Sequence, residues 1–412
     1  MSYRVIQWAT GGVGRAAIEG VARHPELELV GCWVHSADKA GRDAGELAGI
    51  GPIGVAATDD ANEVLRIPAD CVIYAPLVPD EAMVERLLRS GRNVVTPVGW
   101  VFPDPQRSAM LLDACREGRS VLHGTGIHPG GITERFPLMV SGLSSAVTYV
   151  RAEEFSDIRT YNAPDVVRHI MGFGATPEEA LESPMASLLG GGFRQSVRMV
   201  CHAMGFREDA EVRTVQEVAT ATAPIDTPIG VIEPGLVAGR RFRWEAVIDG
   251  QVVVTAVVNW LMGEEHLDPA WSFGPAGERF EVEVLGDPPV LVTFKGWQPE
   301  TVAAGLERNP GVVATAMHCV NAVPYVCRAD PGIRTYLELP LIAGRAAPGL
   351  RRTPSRPPRR PATRLPPRPR AATAVVPPRP IPSRPSRPWR SGRCSCSWAS
   401  WASWASTPGS RF

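Results

Sequence analysis

The sequence predicts an α/β fold with three parts: a doubly wound parallel sheet, a second α+β domain on a mostly antiparallel sheet, and a disordered C-terminal tail. Three observations predict it. Short apolar strands alternate with helical stretches up to about residue 127, and longer alternating segments follow from about residue 148. Residues 351–412 contain 14 arginines and 14 prolines but no Asp, Glu or Lys. Such a segment cannot bury enough apolar surface to offset its ordering entropy.

The first domain is predicted over residues 1–128. Its strands are Tyr3–Trp8, Leu27–Val34, Asp70–Tyr74, Asn93–Thr96 and Ser120–His123, and its helices are Arg15–Arg23, Asp80–Arg89 and Gln106–Arg116. Strands separated by helices of this length pair in parallel through right-handed crossovers. The pattern therefore predicts a Rossmann sheet with helices on both faces.

The second domain is predicted over residues 129–346. Its strands are Thr148–Phe155, Val212–Ala221, Arg241–Ile248, Val252–Trp260, Arg279–Val284 and Val290–Phe294, and its helices lie at Asp165–Phe173 and Phe193–Met204. The pair Asp249-Gly250 is a strong hairpin signal. The apolar helix Gly311–Val326 is expected to pack back across the domain junction. Because such sheets often pair between subunits, a homodimer or homotetramer is expected.

The disordered tail is predicted over residues 347–412. Of the 43 basic residues in the chain, 14 are arginines at or after residue 351, so the first 350 residues hold 29 basic against 43 acidic groups. No nucleic-acid partner is expected for this acidic body. The tail is either a genuine basic arm or GC-rich coding DNA read out of frame, and its composition favours the frameshift. No apolar run is long enough to span a membrane, which predicts a cytoplasmic protein without a membrane partner. No metal-ligand spacing appears among the histidines and cysteines.

A glycine-rich loop, Ala9-Thr10-Gly11-Gly12-Val13-Gly14, follows the first strand and opens the first helix. In a βαβ unit such a loop lets the backbone approach a pyrophosphate, and the helix N-terminus supplies free amides and a positive dipole end. Ala9 stands where the first glycine of the pattern is usual. The loop therefore predicts binding of NAD(P) through Thr10, Gly11, Gly12, Val13 and Gly14.

The end of the second strand distinguishes NAD from NADP. NAD enzymes usually place an acidic residue there to bind the ribose 2′-hydroxyl. Here Ser36, Lys39 and Arg42 could instead bind a 2′-phosphate, whereas Asp38 leaves NAD possible. NADP(H) is the preferred prediction, and a merely solvated loop is the alternative.

Other candidate site residues follow predicted strands. Tyr74, Ala75, Pro76 and Thr96 lie at carboxyl ends of parallel strands, along which a dinucleotide runs, and Gly126 follows the last of these strands. These five residues are expected to line the ribose and nicotinamide.

The segment His123–Gly131 joins the last strand of the first domain to the second domain, so its loop Gly126–Gly131 should lie in the cleft where a small-molecule substrate meets the nicotinamide. His128 in this segment could donate a proton, because histidine titrates near neutrality. Glu154, with its neighbour Glu153, and Asp157 at the end of the next strand are the candidate acids. For each of them, an ordinary structural role is the alternative.

Four segments, Val5–Arg15, Gly41–Gly45, Tyr74–Pro76 and Gly124–Gly130, resemble the dihydrodipicolinate reductase-like family. The chain is most similar there to the actinobacterial branch related to 2,4-diaminopentanoate dehydrogenase and the native amine dehydrogenases. The resemblance covers residues 3–346. It implies a two-domain NAD(P)-dependent oxidoreductase that transfers hydride to or from a C=N, C=O or amine carbon.

The sequence departs from both enzyme patterns in this family. The His-His motif and nearby lysine of dihydrodipicolinate reductases are absent, and Val98–Val101 stands where amine dehydrogenases place a glutamate. The alternative hypothesis is accordingly a non-catalytic NADP-binding sensor or regulator.

Overall fold

The computed structural model of the protein describes residues 2–183 and 185–351. Two seven-stranded sheets dominate this part of the chain. The predicted fold class is confirmed, with a parallel Rossmann-like sheet followed by a second, mixed sheet. The predictions of disorder and of a frameshift concern the tail, and its residues 352–412 lie outside the described residues. None of the helices within the described ranges is long and apolar enough to cross a membrane.

The first sheet is built by alternating strands and helices. In chain order its elements are β1 Tyr3–Trp8, α1 Gly12–Arg23, β2 Leu27–Trp33, α2 Ala44–Leu47, β3 Ala57–Thr58, α3 Ala61–Arg66, β4 Cys71–Tyr74, α4 Glu81–Arg89, β5 Asn93–Thr96, α5 Ala109–Gly118 and β6 Val121–Gly124. All neighbouring strands pair in parallel. The apolar runs of β1, β4 and β5 are buried on both faces, as expected for a sheet covered by helices on each side.

The second sheet follows a π-helical turn, Gly131–Arg135. Its elements are α6 Phe136–Ser141, β7 Ser145–Asp157, α7 Pro177–Glu182, α8 Met185–Met204, β8 Glu211–Ala221, β9 Val237–Ile248, β10 Gln251–Leu261, β11 Leu267–Asp268, β12 Arg279–Asp287 and β13 Val290–Phe294. The strand order is β11-β8-β9-β10-β7-β12-β13, and every neighbouring pair is antiparallel except β7 with β10.

Two predicted helices differ from those observed. The helix predicted over Asp165–Phe173 is a single π-helical turn, Val166–Ile170, and it ends where Gly172 adopts a φ of 75°. Such a left-handed conformation favours glycine and terminates a helix. The helix predicted from Phe193 begins eight residues earlier, at Met185. Packing therefore overrides the low helix propensity of the Gly190–Gly192 run.

The two faces of the second sheet differ sharply. Helix α8 covers one face, where its Phe193 stacks on Trp244 of β9 with ring centroids 4.2 Å apart. The opposite face, termed here the charged face, carries five arginines and five glutamates, mostly ion-paired with one another: Arg151, Glu153, Arg213, Glu217, Arg241, Arg243, Glu245, Arg279, Glu281 and Glu283.

The chain then returns to the first sheet through α9 Val302–Glu307, α10 Pro310–Val326 and β14 Gly332–Ile333. Helix α10 shares a core with α1, in which Val320 packs with Ala17 and Val21. Strand β14 pairs in parallel with β6. Arg351, after a 3₁₀ turn over Pro348–Leu350, donates a hydrogen bond to the carbonyl of Arg23 at 2.7 Å.

Candidate active site

The glycine-rich loop lies at the carboxyl end of β1 and opens α1. Gly11 caps this helix without a side-chain hydrogen bond, so the first amides of α1 are not satisfied by a capping side chain. A Cβ on Gly11 would meet no atom within 4 Å, whereas one on Gly14 would collide with the Ala9 carbonyl. The loop therefore presents open backbone outward and packs tightly inward, as a dinucleotide cradle requires.

Ala9 and Gln7 shape this loop, although neither is among the predicted site residues. Ala9 has a φ of 72°, a strained conformation for a residue with a Cβ. The buried Gln7 amide donates a 2.9 Å hydrogen bond to the Ala9 carbonyl and so braces the turn. Val312 of α10 would lie 3.3 Å from a Cβ on Gly12, so the returning helix also borders the loop.

The predicted 2′-phosphate residues lie on a short 3₁₀ turn, Ala37–Lys39, after β2. Ser36 precedes this turn, Lys39 ends it, and the exposed Arg42 follows. Within the described ranges, neither Lys39 nor Arg42 forms an ion pair. Their positive charges are therefore available to an anion.

The predicted strand-end residues converge on one edge of the first sheet. The Ala75 amide donates to the Trp8 carbonyl at 3.1 Å, and the Thr125 amide donates to the Thr96 carbonyl at 2.8 Å. Pro76 continues this edge, and a Cβ on Gly126 would lie 3.8 Å from Pro97. These contacts bring the ends of β1, β4, β5 and β6 together.

Two of these residues contribute backbone rather than side chain. Tyr74 is 1% exposed, and its hydroxyl accepts a 3.0 Å hydrogen bond from the Asp80 amide at the start of α4. Thr96 is fully buried, and its hydroxyl accepts from the Val98 amide at 3.2 Å. Their side chains hold the loops that follow the strands.

His128 lies two residues beyond Gly126, but its side chain is buried between Phe193 and Phe280. Its Nε2 donates to the Val257 carbonyl at 3.1 Å, and burial lowers the pKa of His128 to about 3. Titration near neutrality, on which its predicted role as proton donor rested, is therefore lost. The neutral imidazole instead links Gly126–Gly131, termed here the interdomain segment, to β10.

Glu154 lies on the sheet face covered by α8, with one carboxyl oxygen 4.0 Å from Nε2 of His128. Trp260 donates its indole N–H to the other oxygen at 3.0 Å. Burial raises the pKa of Glu154 to about 7, against the opposing effect of the hydrogen bonds from Trp260 and Ser156. This carboxyl can gain or lose a proton near neutral pH.

Two other candidate acids are occupied elsewhere. Glu153 lies on the charged face, where it pairs with Arg151 and accepts a 2.9 Å hydrogen bond from Asn259. Asp157 ends β7 and is held by Arg159, with their closest contact at 2.5 Å. The Asp157 carboxylate also accepts the Arg159 amide at 3.0 Å. Both therefore have structural partners, Glu153 within the sheet and Asp157 in the turn that follows β7.

Sequence reasoning missed one acid, Glu134, in the π-helical turn after the interdomain segment. It is fully buried, and burial raises its pKa to about 8. Its position five residues after Pro129 was visible in the sequence, but nothing in the pattern indicated that it is buried.

Comparison with known proteins agrees with this architecture. Residues 5–76 match the dihydrodipicolinate reductase N-terminus, and residues 132–349 match the 2,4-diaminopentanoate dehydrogenase C-terminal domain. An amine dehydrogenase from Streptomyces virginiae is 32% identical over 352 residues, which cover 82% of this chain and 96% of that protein.

More distant relatives extend the agreement. A 2,4-diaminopentanoate dehydrogenase from Acetoanaerobium sticklandii is 26% identical over 69% of this chain and 75% of its own length. The structure of an amine dehydrogenase from Mycobacterium smegmatis shares the fold with a TM-score of 0.66 at 22% identity, and the match covers 84% of this chain and 98% of that one. The predicted resemblance is confirmed, and the relatives favour an enzyme over a non-catalytic sensor. The chain therefore belongs to the family of pyridine-nucleotide-dependent dehydrogenases that includes the 2,4-diaminopentanoate dehydrogenases and the amine dehydrogenases.

Proposed function

We propose that this dehydrogenase prefers NADP(H) and transfers hydride between the nicotinamide and a C=N, C=O or amine carbon of a small molecule. One juxtaposition carries the proposal. The segment that follows the nucleotide-binding edge at Gly126 leads within two residues to His128, which lies 4.0 Å from the buried carboxyl of Glu154. Glu154, which exchanges protons near neutral pH, would thereby lie close to the edge where the nicotinamide would bind.

The residues of the glycine loop fit a dinucleotide. Thr10, Gly11, Gly12, Val13 and Gly14 would hold the pyrophosphate at the uncapped N-terminus of α1, where the helix dipole favours an anion. Ser36, Lys39 and Arg42 would bind the 2′-phosphate, which is the reason to prefer NADP over NAD. The bound nicotinamide would supply or accept the hydride.

Glu154 would handle the accompanying proton. In the direction of amine or alcohol oxidation, its ionised carboxylate accepts a proton from the substrate, and in the direction of reduction its acid form returns one. The Trp260 indole fixes one carboxyl oxygen, and the other oxygen, 4.0 Å from Nε2 of His128, would exchange the proton. His128 would act as a positioning residue, because its neutral ring holds the interdomain segment to β10.

The charged face supports a homodimer or homotetramer. Five arginines and five glutamates share it, so a second copy turned by a twofold axis can meet complementary charges. A cavity on this face is lined by side chains of both charges together with Tyr149 and Val257.

The test uses the purified full chain. NADPH and NADH are titrated by fluorescence, and turnover is then measured with a panel of ketones with ammonia, cyclic imines, primary amines and diamines. We expect NADPH to bind at least about tenfold more tightly than NADH, and at least one nitrogen or carbonyl substrate to be turned over. Tight binding without any turnover would overturn the proposed reaction, and equal affinity for the two nucleotides would overturn the NADP preference.

A further inference from the structure

Glu134 stands out because it is an acid in the interior without a counter-charge. It lies in the π-helical turn Gly131–Arg135, between the interdomain segment and α8. Both of its carboxyl oxygens are buried, and neither has a hydrogen-bond partner with good geometry in the described part of the chain. The polar groups beside it are the hydroxyls of Thr133 and Ser196 and the amide of Gly130.

These neighbours connect Glu134 to two elements beside the site, the segment Gly126–Gly131 and α8. The Gly130 amide donates to the Thr133 hydroxyl at 2.9 Å, so the turn closes back on the interdomain segment. Ser196, which is fully buried on α8, donates to the Gly192 carbonyl at 3.2 Å. A Cβ on Gly192 would lie 2.9 Å from Pro129 in the same segment. The Glu134 carboxyl thus lies between α8 and the segment that would face the nicotinamide.

The rest of its surroundings are mainly apolar. Strands β7 and β12 and helix α6 contribute Ala152, Phe280, Val282 and Phe136 to the adjoining core.

Few titratable groups lie on the elements around Glu134. Tyr336 in the C-terminal segment is close enough that Glu134 helps to raise its pKa. His318 of α10 lies against Gly131, and burial lowers the pKa of His318 to about 4. The Arg135 guanidinium donates to the Ile342 carbonyl instead of pairing with Glu134. On the other side, β7 carries Glu154 beside His128 of the interdomain segment. No described cation forms a salt bridge with Glu134.

We propose that Glu134 is a positioning residue of the cofactor site: as an uncharged acid it packs between α8, at Ser196, and the segment Gly126–Gly131, and its ionisation releases that segment. The reason is that an ionised carboxylate in an apolar interior without a cation or firm donors is strongly disfavoured. When the group loses its proton, the turn must open to admit water. The inference rests on the proposed function, because it places the nicotinamide against this segment.

The consequence is a loss of cofactor affinity at high pH. Only molecules with a protonated Glu134 would be competent to bind, so affinity falls by up to about tenfold per pH unit above the pKa of this acid. Folding is linked in the same way. The folded chain holds a proton that the unfolded chain has lost, so the Glu134 contribution to stability is present at low pH and declines as pH rises towards about 8.

The experiment compares the full-length wild type with Glu134→Gln, which mimics the protonated acid, and with Glu208→Gln, an exposed control. NADPH affinity is measured by fluorescence from about pH 6 to about pH 9.5, with melting temperatures at each pH. We expect wild type and Glu208→Gln to lose affinity above about pH 8, whereas Glu134→Gln keeps its affinity across the range. Infrared spectra near neutral pH should show a carbonyl stretch of un-ionised acid that is weaker in Glu134→Gln than in wild type, because Glu154 and Glu278, whose pKa values burial raises to about 7, contribute to the same band.

Ser196→Ala provides a second variant if Glu134→Gln fails to fold. Because Ser196 lowers the pKa of Glu134, its removal should move the loss of affinity to higher pH. The inference is overturned if Glu134→Gln has the pH profile of wild type, if Ser196→Ala leaves the profile unchanged, or if the infrared band is as strong in Glu134→Gln as in wild type. If wild type binds neither NADPH nor NADH, the proposed function fails, while the infrared band and the melting profile still decide whether Glu134 is a neutral acid.

Discussion

The two sheets of this protein carry function in different ways. The parallel sheet is buried on both faces, and its predicted binding residues all lie at the carboxyl ends of strands or in the segments that follow them. The second sheet carries its candidate acids within β7, where Glu153 and Glu154 point to opposite faces. In the first sheet, position along the strand decides a role, whereas in the second the face of the strand decides it.

This difference has a physical origin. Parallel strands covered by helices on both sides have no free face, so polar chemistry is confined to their ends. A mostly antiparallel sheet covered by helices on one side leaves the other side for charged residues or a partner subunit. Adjacent residues of one strand then enter different environments, and a shift of one residue would exchange them.

The largest expected effect tests this dependence on the strand face. Glu154→Gln removes the proposed proton-transfer group and should lower the turnover rate by about 10²–10⁴-fold. Glu153→Gln, one residue away on the charged face, should change the rate by no more than about threefold. Steady-state kinetics of the two variants, with NADPH affinity as a control for folding, make the comparison. Similar losses in both variants would contradict the assignment.

The pH dependence of the rate tests the same difference between Glu154 and Glu153. Because burial raises the pKa of Glu154 to about 7, oxidation should become faster as pH rises through that value and reduction should become slower. This change of rate with pH should vanish in Glu154→Gln and persist in Glu153→Gln. A wild-type profile that is flat from about pH 5.5 to about pH 8.5 would remove Glu154 from the reaction.

The next effect tests the strand-end chemistry of the first sheet. Gly14→Ala places a Cβ against the Ala9 carbonyl, and such overpacking should lower the free energy of unfolding by about 1–3 kcal/mol and weaken NADPH binding. Gly11→Ala adds a Cβ in open space, so stability should change by less than about 0.5 kcal/mol while NADPH binding falls. Chemical denaturation and fluorescence titration separate the two. Loss of stability in Gly11→Ala with unchanged binding would reverse the roles.

The same contrast explains what the sequence could reveal. The first sheet was predictable because its apolar strands alternate with helices along the chain, and its glycine loop is local. The strands β3 and β14 were missed, since two residues show no periodicity and β14 joins β6 from about 200 residues away. Glu154 was among the predicted acids, but its difference from Glu153 depends on register. The burial of His128 and of Glu134 depends on α8, which the sequence places far from both.

An intermediate effect is expected on the charged face. Arg243 pairs with Glu217 at 2.5 Å and with Glu245 at 3.2 Å, so Arg243→Glu leaves three negative charges together. If this face joins two copies, self-association should weaken by at least about tenfold. Light scattering over a range of protein concentrations measures the change, and Arg116→Glu, at an exposed position of α5, is the matched control. An unchanged oligomer in Arg243→Glu would place the subunit contact elsewhere.

The smallest expected effect concerns the loop after β2, where strand-end chemistry depends on exposed charges. Lys39 is only partly buried and has no ion-pair partner within the described ranges, so its attraction to a 2′-phosphate is weakened by water and salt. Lys39→Ala should therefore weaken NADPH binding by about tenfold or less and leave NADH binding unchanged. The difference should shrink at high salt, because a contact with a phosphate group is screened whereas a packing contact is not. An equal loss for both nucleotides would mean that Lys39 supports the shape of the loop, and the preference for NADP would then rest on Ser36 and Arg42.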